Sequence, residues 1–447
     1  MLRFVFTLVL LFTTPTLAAA QQDGSSPPPA GGSAEAPTTP AMPATPPTPE
    51  ALPDPVIEPA PLPDVPPPAA APVAPETPTP PTPPEVNNAE EAETQALNDL
   101  GVVEDDLETN MEVFRRGSFS LRIGGMLQVL AAPYVGDDAD QDEDDPMDTE
   151  GFRVRRARIG FGGTIYRHWD FYLAVDLMDT VGAAMGWSGD HGAEVLDARI
   201  TWTRFPFARI SAGVDKVPFS AFALASSSRM ELMERPLSVR KLGPDRRVGL
   251  TVAGDLWRIS YAAGVFNGSA GVTTGNQLAG IAAAAHVQAH ILGKPTSFVP
   301  DKLRISVGGS YMFDNAAAAS MHKAAGNLCL RFFRVKLAGE ILWEQTTVDQ
   351  QPSGSAVDSG DSVRYGAVGE LSVFIWQEYL QAALRYEYFD DNNELSTVGR
   401  QQLFYGGVNF YILRDKLKIM ANYIRRYEMD GTAWDNDIFY AQIQAKF

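Results

Sequence analysis

Basic side chains are concentrated in two stretches of this chain, and their types indicate binding of anions. Segment 151–166 carries four arginines within six residues, and segment 221–245 with its borders carries a second set. The basic residues of the two sets are Arg153, Arg155, Arg156, Arg158, Lys216, Arg229, Arg235, Arg240, Lys241, Arg246 and Arg247. Guanidinium groups present N–H donors in a planar fork, so a cluster of them can replace the hydration shell of an oxyanion.

The alternation of side chains along a β-strand predicts which arginines share a face. Segment 151–166 has the pattern of a strand, in which successive side chains point to opposite faces. Arg156 and Arg158 have the parity of the small residue Gly160, and the apolar residues between them have the other parity. We therefore expect Arg156 and Arg158 on the polar face of the strand. The same argument places Arg199 on the polar face of its own strand.

An alternative interpretation of these bases is structural. Asp176, Asp197 and Asp215 are expected on the same polar face, where they would pair with the arginines and brace the wall. The sequence leaves both interpretations open, an anion-attracting ring and a set of structural ion pairs.

The net charge of −19 suggests a preference for cations, but its distribution does not. Residues 1–117 hold 17 acidic and 3 basic residues, whereas residues 118–447 hold 38 and 33. The loop 137–150 alone carries nine acids. Without that loop, the C-terminal part of the chain has a small positive net charge.

Residues 118–447 show sixteen segments with strand-like alternation, joined in turn by short and long connections. Tight junctions such as Tyr166–Trp169 and Leu413–Lys416 alternate with long ones such as 181–194 and 221–245. Short turns at one rim and long loops at the other are typical of outer-membrane barrels. The pattern predicts an all-β fold, a 16-stranded antiparallel transmembrane β-barrel. A soluble sandwich or solenoid is the alternative.

The residue pattern of the last predicted strand supports the prediction of a barrel. Its odd positions from Phe439 to Phe447 are apolar and its even positions are mostly polar, as lipid-facing and water-facing sides require. A terminal aromatic residue resembles the closing strand of bacterial outer-membrane proteins. Tryptophans near strand ends, at 169, 202, 343 and 376, match the aromatic girdles of such barrels.

The N-terminal part predicts export and a spacer. Residues 1–20 have the basic start, apolar run and small-residue end of a signal peptide, and residues 21–88 form a disordered Pro/Ala/Thr-rich periplasmic spacer. Residues 89–116 are predicted to form an acidic helix or short coiled coil, and residues 117–447 the β-barrel. The spacer is interpreted either as a passive linker or as a tether through peptidoglycan. The helix is interpreted either as an oligomerisation element or as a cap under the barrel.

A series of motifs resembles a known family. In chain order they are Phe152–Phe161 (FRVRRARIGF), Trp169–Phe171, Asp197–Arg199, Gly213–Phe219 (GVDKVPF), Ser227–Arg229, Met233–Arg235 and Ala262–Gly268. This order is similar to the phosphate- and polyphosphate-selective porin O/P family, strongly over 150–268 and more weakly to Phe447. The resemblance implies a trimer of sixteen-stranded barrels with an arginine ladder and a constriction formed by the third long loop. The matching positions are Arg156, Arg158, Lys216, Arg229 and Arg235.

Three glutamates predict a less basic wall in the second half of the barrel. Glu340, Glu344 and Glu387 have the parity of the polar face. If they faced the water of the lumen, they would oppose the passage of anions.

Other signals point to no further chemistry. Asp138, Asp140 and Asp142 have carboxylates at alternate positions but not the glycine and glutamate spacing of a calcium-binding loop, which favours a solvated loop. His286 and His290 are expected to line the lumen, because two histidines without a carboxylate or cysteine partner rarely hold a metal. The sequence contains no nucleophile elbow, phosphate-binding Gly-Lys loop or zinc-protease motif, so neither an enzyme nor a cofactor is predicted.

The leading hypothesis is an outer-membrane porin for passive diffusion of small solutes that favours anions, phosphate or polyphosphate first. The alternatives are a weakly selective general porin and a structural protein that tethers the envelope. Expected partners are small anions, outer-membrane lipid and lipopolysaccharide, two further copies in a homotrimer, and peptidoglycan at the spacer, with no nucleic acid. The N-terminus is expected in the periplasm. The predicted pore residues are Arg156, Arg158, Arg199, Lys216, Arg229, Arg235, Arg240, Lys241, Arg246 and Arg247.

Overall fold

The computed structural model describes residues Leu107 and Thr109 and the ranges 111–137, 150–178, 194–244, 246–268, 280–293, 302–316, 319–348, 362–392, 399–429 and 435–447, together with Val299. Within these residues the chain is almost entirely β-sheet. No helix of the described ranges is long and apolar enough to cross a membrane.

Seventeen strands are found in the described part of the chain. They are β1 (Met111–Arg116), β2 (Phe119–Val135), β3 (Gly151–Tyr166), β4 (Trp169–Asp176), β5 (Glu194–Phe205), β6 (Ala208–Asp215), β7 (Arg247–Leu256), β8 (Ile259–Asn267), β9 (Ile281–His290), β10 (Arg304–Ala316), β11 (Ala319–Phe332), β12 (Val335–Val348), β13 (Ser362–Trp376), β14 (Leu380–Asp390), β15 (Gln401–Leu413), β16 (Leu417–Glu428) and β17 (Ile438–Lys446). Two short helices, α1 (Ala221–Leu224) and α2 (Leu237–Leu242), lie between β6 and β7.

Strands β2 to β17 close into a barrel. Each pairs antiparallel with the next, and β17 pairs with β2 through a ladder from Ile438↔Val135 to Lys446↔Met126. The prediction of a 16-stranded antiparallel barrel is confirmed. Closure pairs the backbone groups that an open sheet would leave unpaired at its edges, which a lipid environment requires.

The two faces of the strands differ as the alternation predicts. On β17, Phe439 and Ile443 are exposed on the outside, whereas Tyr440, Gln442 and Gln444 are buried inside. Strand β9 alternates in the same way over its whole length. The outer surface is therefore an apolar band, and the polar side chains face the lumen.

The connections define two ends of the barrel, a short-turn end and a long-loop end. At the short-turn end five tight turns place a non-glycine residue at positive φ: Arg167, Trp257, Phe333, Gln377 and Arg414. Such backbone angles let a tight turn follow the twist of the paired strands. Tryptophans 169, 257 and 376 lie at this end and are exposed.

The alternation of connection length fails at one place. The connection from β9 to β10, at the short-turn end, spans residues 291–303, whereas β10 and β11 are joined at the long-loop end by residues 317 and 318 alone. Strand β10 ends at Ala316 and strand β11 begins at Ala319, so only a tight connection joins them.

The predicted acidic helix 89–116 is wrong over Met111–Arg116, which form strand β1. Its remaining residues lie outside those described, apart from Leu107 and Thr109. Strand β1 pairs with the first residues of β2, from Arg116↔Phe119 to Met111↔Ile123. The physical reason is the turn between the strands, where Gly117 takes a φ of 62° that favours glycine. The hairpin continues the sheet past the end of β17.

The terminal Phe447 completes the closure. Its N–H donates to the Gly125 carbonyl and its carbonyl accepts from the Gly125 N–H, both at 3.1 Å. A Cβ added at position 125 would lie 2.5 Å from the Phe447 ring, so the ring covers a site where only glycine fits without a shift.

We expect Gly125→Val to weaken closure of the barrel by about 1–3 kcal/mol, because the added side chain must displace the Phe447 ring. The measurement is the temperature at which the folded form, with its faster gel mobility, is lost in detergent. Gly369→Val is the matched control, since a Cβ at this exposed strand glycine meets nothing within 4 Å. Equal transition temperatures for the two variants would contradict the role of the glycine.

The connection between β6 and β7, residues 216–246, folds into the lumen and is called the lumen loop below. Its buried apolar side chains, such as Phe219, Leu232 and Leu237, form one cluster with inward side chains of the wall, such as Met312 and Tyr440. The loop is thus packed in the barrel by the burial of apolar surface, as a small protein core would be.

Candidate functional site

A β-bulge on β3 brings its four arginines to the inner face. The ladder pairs Gln128 with Arg156 but Val129 with Val154, so Arg155 is an extra residue on β3. A bulge of this kind re-aims side chains and changes the parity of the strand. Arg156 and Arg158 point inward as predicted, and Arg155 and Arg153 do so as well.

Arg155 is the residue that sequence reasoning missed. Simple alternation places it on the outside, but its guanidinium forms an ion pair with Glu234 of the lumen loop at 2.6 Å. It also donates to the Met233 carbonyl at 2.6 Å. The only sequence signal was the run of arginines itself, which cannot all alternate into lipid.

Arg156 and Arg158 have different partners. Arg156 donates to the neutral amide oxygen of Gln128 at 2.8 Å. Arg158 forms an ion pair with Asp176 at 2.7 Å and donates to the hydroxyl of Ser227 in the lumen loop at 3.1 Å. Arg156 is therefore the position on β3 where a positive charge is held by a neutral hydrogen-bond acceptor.

Four of the predicted pore residues are paired with carboxylates. Besides Arg158–Asp176, the ion pairs join Arg199 to Asp215 at 3.3 Å, Arg246 to Asp197 at 2.9 Å and Arg247 to Asp314 at 2.7 Å. The structural interpretation of these bases is therefore right for Asp176, Asp197 and Asp215. The wall of β3 to β7 is braced by alternating charges.

Two other predicted residues hold the lumen loop itself. The Lys216 ammonium donates to the carbonyls of Leu224 and Ala225 at 3.3 and 3.4 Å. Arg235 donates to the carbonyls of Phe222 and Ala225 at 3.2 and 2.7 Å. Both therefore bind carbonyl groups around the C-terminal end of α1.

The remaining predicted residues are spread along the lumen loop. Arg240 and Lys241 lie in the last turn of α2, with Arg240 half-buried and Lys241 exposed. Arg229 is half-buried and lines a cavity of about 120 Å³ near the short-turn end. Arg331, Arg334 and Lys336 line the same cavity, and Lys336 forms an ion pair with Glu231 at 2.6 Å.

The wall glutamates are engaged in holding the loop or in ion pairs. Glu340 accepts from the Ser220 hydroxyl at 2.8 Å and from the backbone N–H groups of Ala221 and Phe222 at 2.8 and 3.3 Å, which anchors the start of α1. Glu387 accepts from the N–H of Leu237, the first residue of α2, at 2.5 Å.

Glu344 forms an ion pair with Lys323 at 2.7 Å and accepts a hydrogen bond from Arg364 at 2.9 Å. The glutamates point inward as expected, but their carboxylates accept hydrogen bonds from the lumen loop or form ion pairs within the wall. The electrostatic repulsion that these carboxylates would exert on an anion is reduced by these partners.

The electrostatics of Glu234 follow from its arginine neighbours. Burial alone would raise the pKa of Glu234, but the guanidinium groups around it, that of Arg155 first, hold the pKa below 4.5. A carboxylate with a lowered pKa in the folded state stabilises that state above pH 4.5, and the contribution is lost as the pH falls through the lowered value.

We therefore expect the contact between the lumen loop and β3 to be unchanged from neutral pH to about pH 4.5 and to weaken only below it. Single-channel conductance as a function of pH measures this. Glu234→Gln should remove the component of the acid response that belongs to this residue. The expectation would be contradicted if the conductance of the wild-type channel changed between pH 5 and 7 and Glu234→Gln abolished that change.

The histidines of β9 belong to the wall. His286 shares a hydrogen bond with Ser310 at 2.8 Å, and His290 contacts Ser306 and Ser260 at 3.0 and 3.1 Å. The described residues contain no group of three or more ligands able to hold a metal ion. The acidic loop with Asp138, Asp140 and Asp142 lies outside the described residues.

Taken together, fold and site define a porin-type β-barrel channel whose lumen is narrowed by an inserted loop. Arginine side chains of the wall contact this loop directly, Arg155 at Glu234 and Arg158 at Ser227. The model of the family phosphate-selective porin O and P matches residues 132–327 and 377–447. The chain belongs to this family, and an outer-membrane location follows from the family and the fold.

Solved structures with the same fold are distant in sequence. The outer membrane channel DcaP of Acinetobacter baumannii is 12% identical, with a TM-score of 0.52 over 75% of this chain and 100% of DcaP. An anion-selective porin from Comamonas acidovorans is 13% identical, with a TM-score of 0.51 over 74% and 100%. OmpT of Vibrio cholerae is 11% identical, with a TM-score of 0.50 over 75% and 100%. No curated protein matches the chain in sequence.

Proposed function

We propose that this porin conducts small anions by passive diffusion and favours phosphate or polyphosphate. The observation that carries the proposal is the inner face of β3, where the bulge places Arg153, Arg155, Arg156 and Arg158 on one side and where Arg155 and Arg158 contact the lumen loop. The family name and the anion-selective relative point in the same direction.

The proposed selectivity site consists of Arg156 and Arg158, with Arg155 and Ser227 beside them. A dehydrated oxyanion needs donors to replace its water, and forked guanidinium groups with a hydroxyl supply them. Arg156 contributes most in this proposal, because its hydrogen-bond acceptor is an amide and not a carboxylate. The other predicted pore residues contribute to the positive potential over the loop.

A second candidate is a weakly selective general porin. The ion pairs of Arg158, Arg199, Arg246 and Arg247 favour it, since paired charges attract solutes of either sign only weakly. The two candidates differ in what they predict for the sign and size of the selectivity.

The orientation of the barrel in the membrane and its assembly into oligomers are part of the same proposal. Short turns face the periplasm and long loops face outward in barrels of this class, which would place the N-terminus in the periplasm. We propose that this chain forms the homotrimer that the family resemblance implies. We also propose that its outer rim contacts lipopolysaccharide.

The reversal potential of single channels in a salt gradient tests the function. An anion preference, together with block of chloride current by added phosphate, is the expected result. Cation preference without phosphate block would overturn the proposal. Anion preference without phosphate block would favour the weakly selective porin.

A further inference from the structure

Arginines at the short-turn end of the barrel lie over exposed aromatic rings. At the turn between β7 and β8, the guanidinium carbon of Arg258 lies 5.1 Å from the centre of the Trp257 ring. At the turn between β11 and β12, that of Arg334 lies 5.2 Å from the centre of the Phe333 ring. Trp257 is 85% exposed and Phe333 is 55% exposed, so both pairs lie at the surface of the barrel.

The same arrangement recurs at two other short turns. Between β3 and β4, the guanidinium carbon of Arg167 lies 5.5 Å from the centre of the Tyr166 ring. Between β5 and β6, that of Arg204 lies 5.9 Å from the centre of the Phe205 ring. Both rings are exposed. The four arginine–aromatic contacts are called the rim pairs below, and they lie on the arc of the barrel from β3 to β12.

The positive charges of the rim pairs are not compensated by acids of the described chain. None of the four arginines forms an ion pair with a described carboxylate. Arg258 donates instead to the Ile291 carbonyl at 2.8 Å, and Arg204 donates to the ring nitrogen Nε2 of His168 at 3.0 Å. A carbonyl and an accepting imidazole nitrogen are uncharged partners, so they leave the positive charge at the rim.

The next two short turns along the chain differ in charge. Between β13 and β14 the residue at positive φ is Gln377. Between β15 and β16, Arg414 forms an ion pair with Glu378 at 3.5 Å, and Asp415 pairs with Lys418 at 3.1 Å. The turns of the rim pairs contain no acid, so the arc from β3 to β12 is the more basic part of this end.

A ring and an arginine side by side fit the headgroup region of a membrane. Exposed aromatic rings lie at the level of the headgroups in barrels that span a membrane. A guanidinium group at this level can donate two hydrogen bonds to one phosphate, and its charge favours a lipid with a net negative charge. Successive short turns are two strand spacings apart, about 10 Å, so each rim pair can bind a separate headgroup.

We propose that the rim pairs bind the headgroups of anionic phospholipids, with the phosphodiester of phosphatidylglycerol as the chemical group that is recognised. The binding does not depend on the solute that the channel conducts. With the orientation proposed above, the bound lipids belong to the periplasmic leaflet of the outer membrane.

Native mass spectrometry of the full-length protein in detergent, titrated with phosphatidylglycerol, tests the proposal by counting bound lipids. The wild type should bind phosphatidylglycerol more tightly than phosphatidylcholine. Arg258→Gln should weaken the binding of phosphatidylglycerol about fivefold, and substitution of all four arginines by glutamine should weaken it by about a hundredfold or more. Arg425→Gln is the matched control and should leave the binding unchanged. Arg425 also lies over a ring, that of Tyr427 at 5.0 Å, but it pairs with Asp437 at 3.4 Å.

Three results would overturn the proposal. One is an equal affinity of the wild type for the two lipids, and another is an equal affinity of Arg258→Gln and Arg425→Gln for phosphatidylglycerol. The single variant keeps the test decisive if the fourfold variant does not fold, because Arg258 is exposed in a turn. The third is displacement of bound phosphatidylglycerol by millimolar inorganic phosphate, which would make the rim pairs a site for free phosphate.

Discussion

Replacing Arg156 and Arg158 together with glutamine is expected to abolish the proposed anion preference of the channel. The double variant removes two positive charges from one stretch of the inner wall and leaves Asp176 without its ion-pair partner. At an effective dielectric constant of about 20, a charge roughly 7 Å from a passing anion contributes about 2 kcal/mol. The loss of two such charges therefore corresponds to at least a tenfold change in the ratio of anion to cation permeability.

The reversal potential in a salt gradient measures this ratio, at low ionic strength where screening is weak. Arg425→Gln is the matched control, because Arg425 is half exposed on the outside of the barrel and pairs with Asp437 there. An unchanged potential in the double variant would place the selectivity elsewhere in the lumen. Arg156→Gln alone should cause a smaller shift in the same direction.

The second large effect is expected for Arg385→Leu, which should release the lumen loop from the wall of β14. Arg385 is buried and forms ion pairs with Glu387 at 2.8 Å and Glu370 at 3.4 Å. It also donates to the Glu234 carbonyl of the loop at 2.7 Å. Its removal leaves the buried carboxylate of Glu387 without its cation and that of Glu370 with only Lys336, at 4.0 Å. The expected cost is about 3–5 kcal/mol.

Susceptibility of the loop to proteolysis and the unfolding midpoint in detergent measure this cost. Proteolysis should increase and the midpoint should fall. Adding Glu370→Gln should recover part of the loss, because one buried charge is then removed with its partner. An unfolding midpoint equal to that of the wild type would contradict the role of Arg385 in holding the lumen loop to the wall.

Most of the barrel could be predicted from the sequence, because its strands follow one simple physical rule. Lipid on one side and water on the other impose an alternation with period two, and strand β3 begins and ends at the predicted residues 151 and 166. Strand β1 pairs only with the start of β2 and is not one of the sixteen strands of the closed barrel. The segment that contains it was therefore predicted as an acidic helix, although Met111–Arg116 form a strand.

The site was predicted less completely, because its geometry depends on contacts between distant residues. Parity alone predicted the inward direction of Arg156, Arg158 and Arg199. It could not predict Arg155, since a bulge is decided by the register between β2 and β3. Nor could it show that Glu340 would anchor a helix of the loop, because that partner is about 120 residues away in the chain.

The extra residue in β3 also has a consequence for the movement of solutes. On a regular strand, inward side chains recur about every 7 Å along the barrel wall, so an anion leaving one donor must cross a gap to reach the next. The bulge puts Arg155 and Arg156 on the same side at successive positions, which halves that step. In the proposed anion channel, two adjacent guanidinium groups would let an anion pass from one donor to the next without a gap. A series of sites without deep wells permits both selectivity and rapid transit.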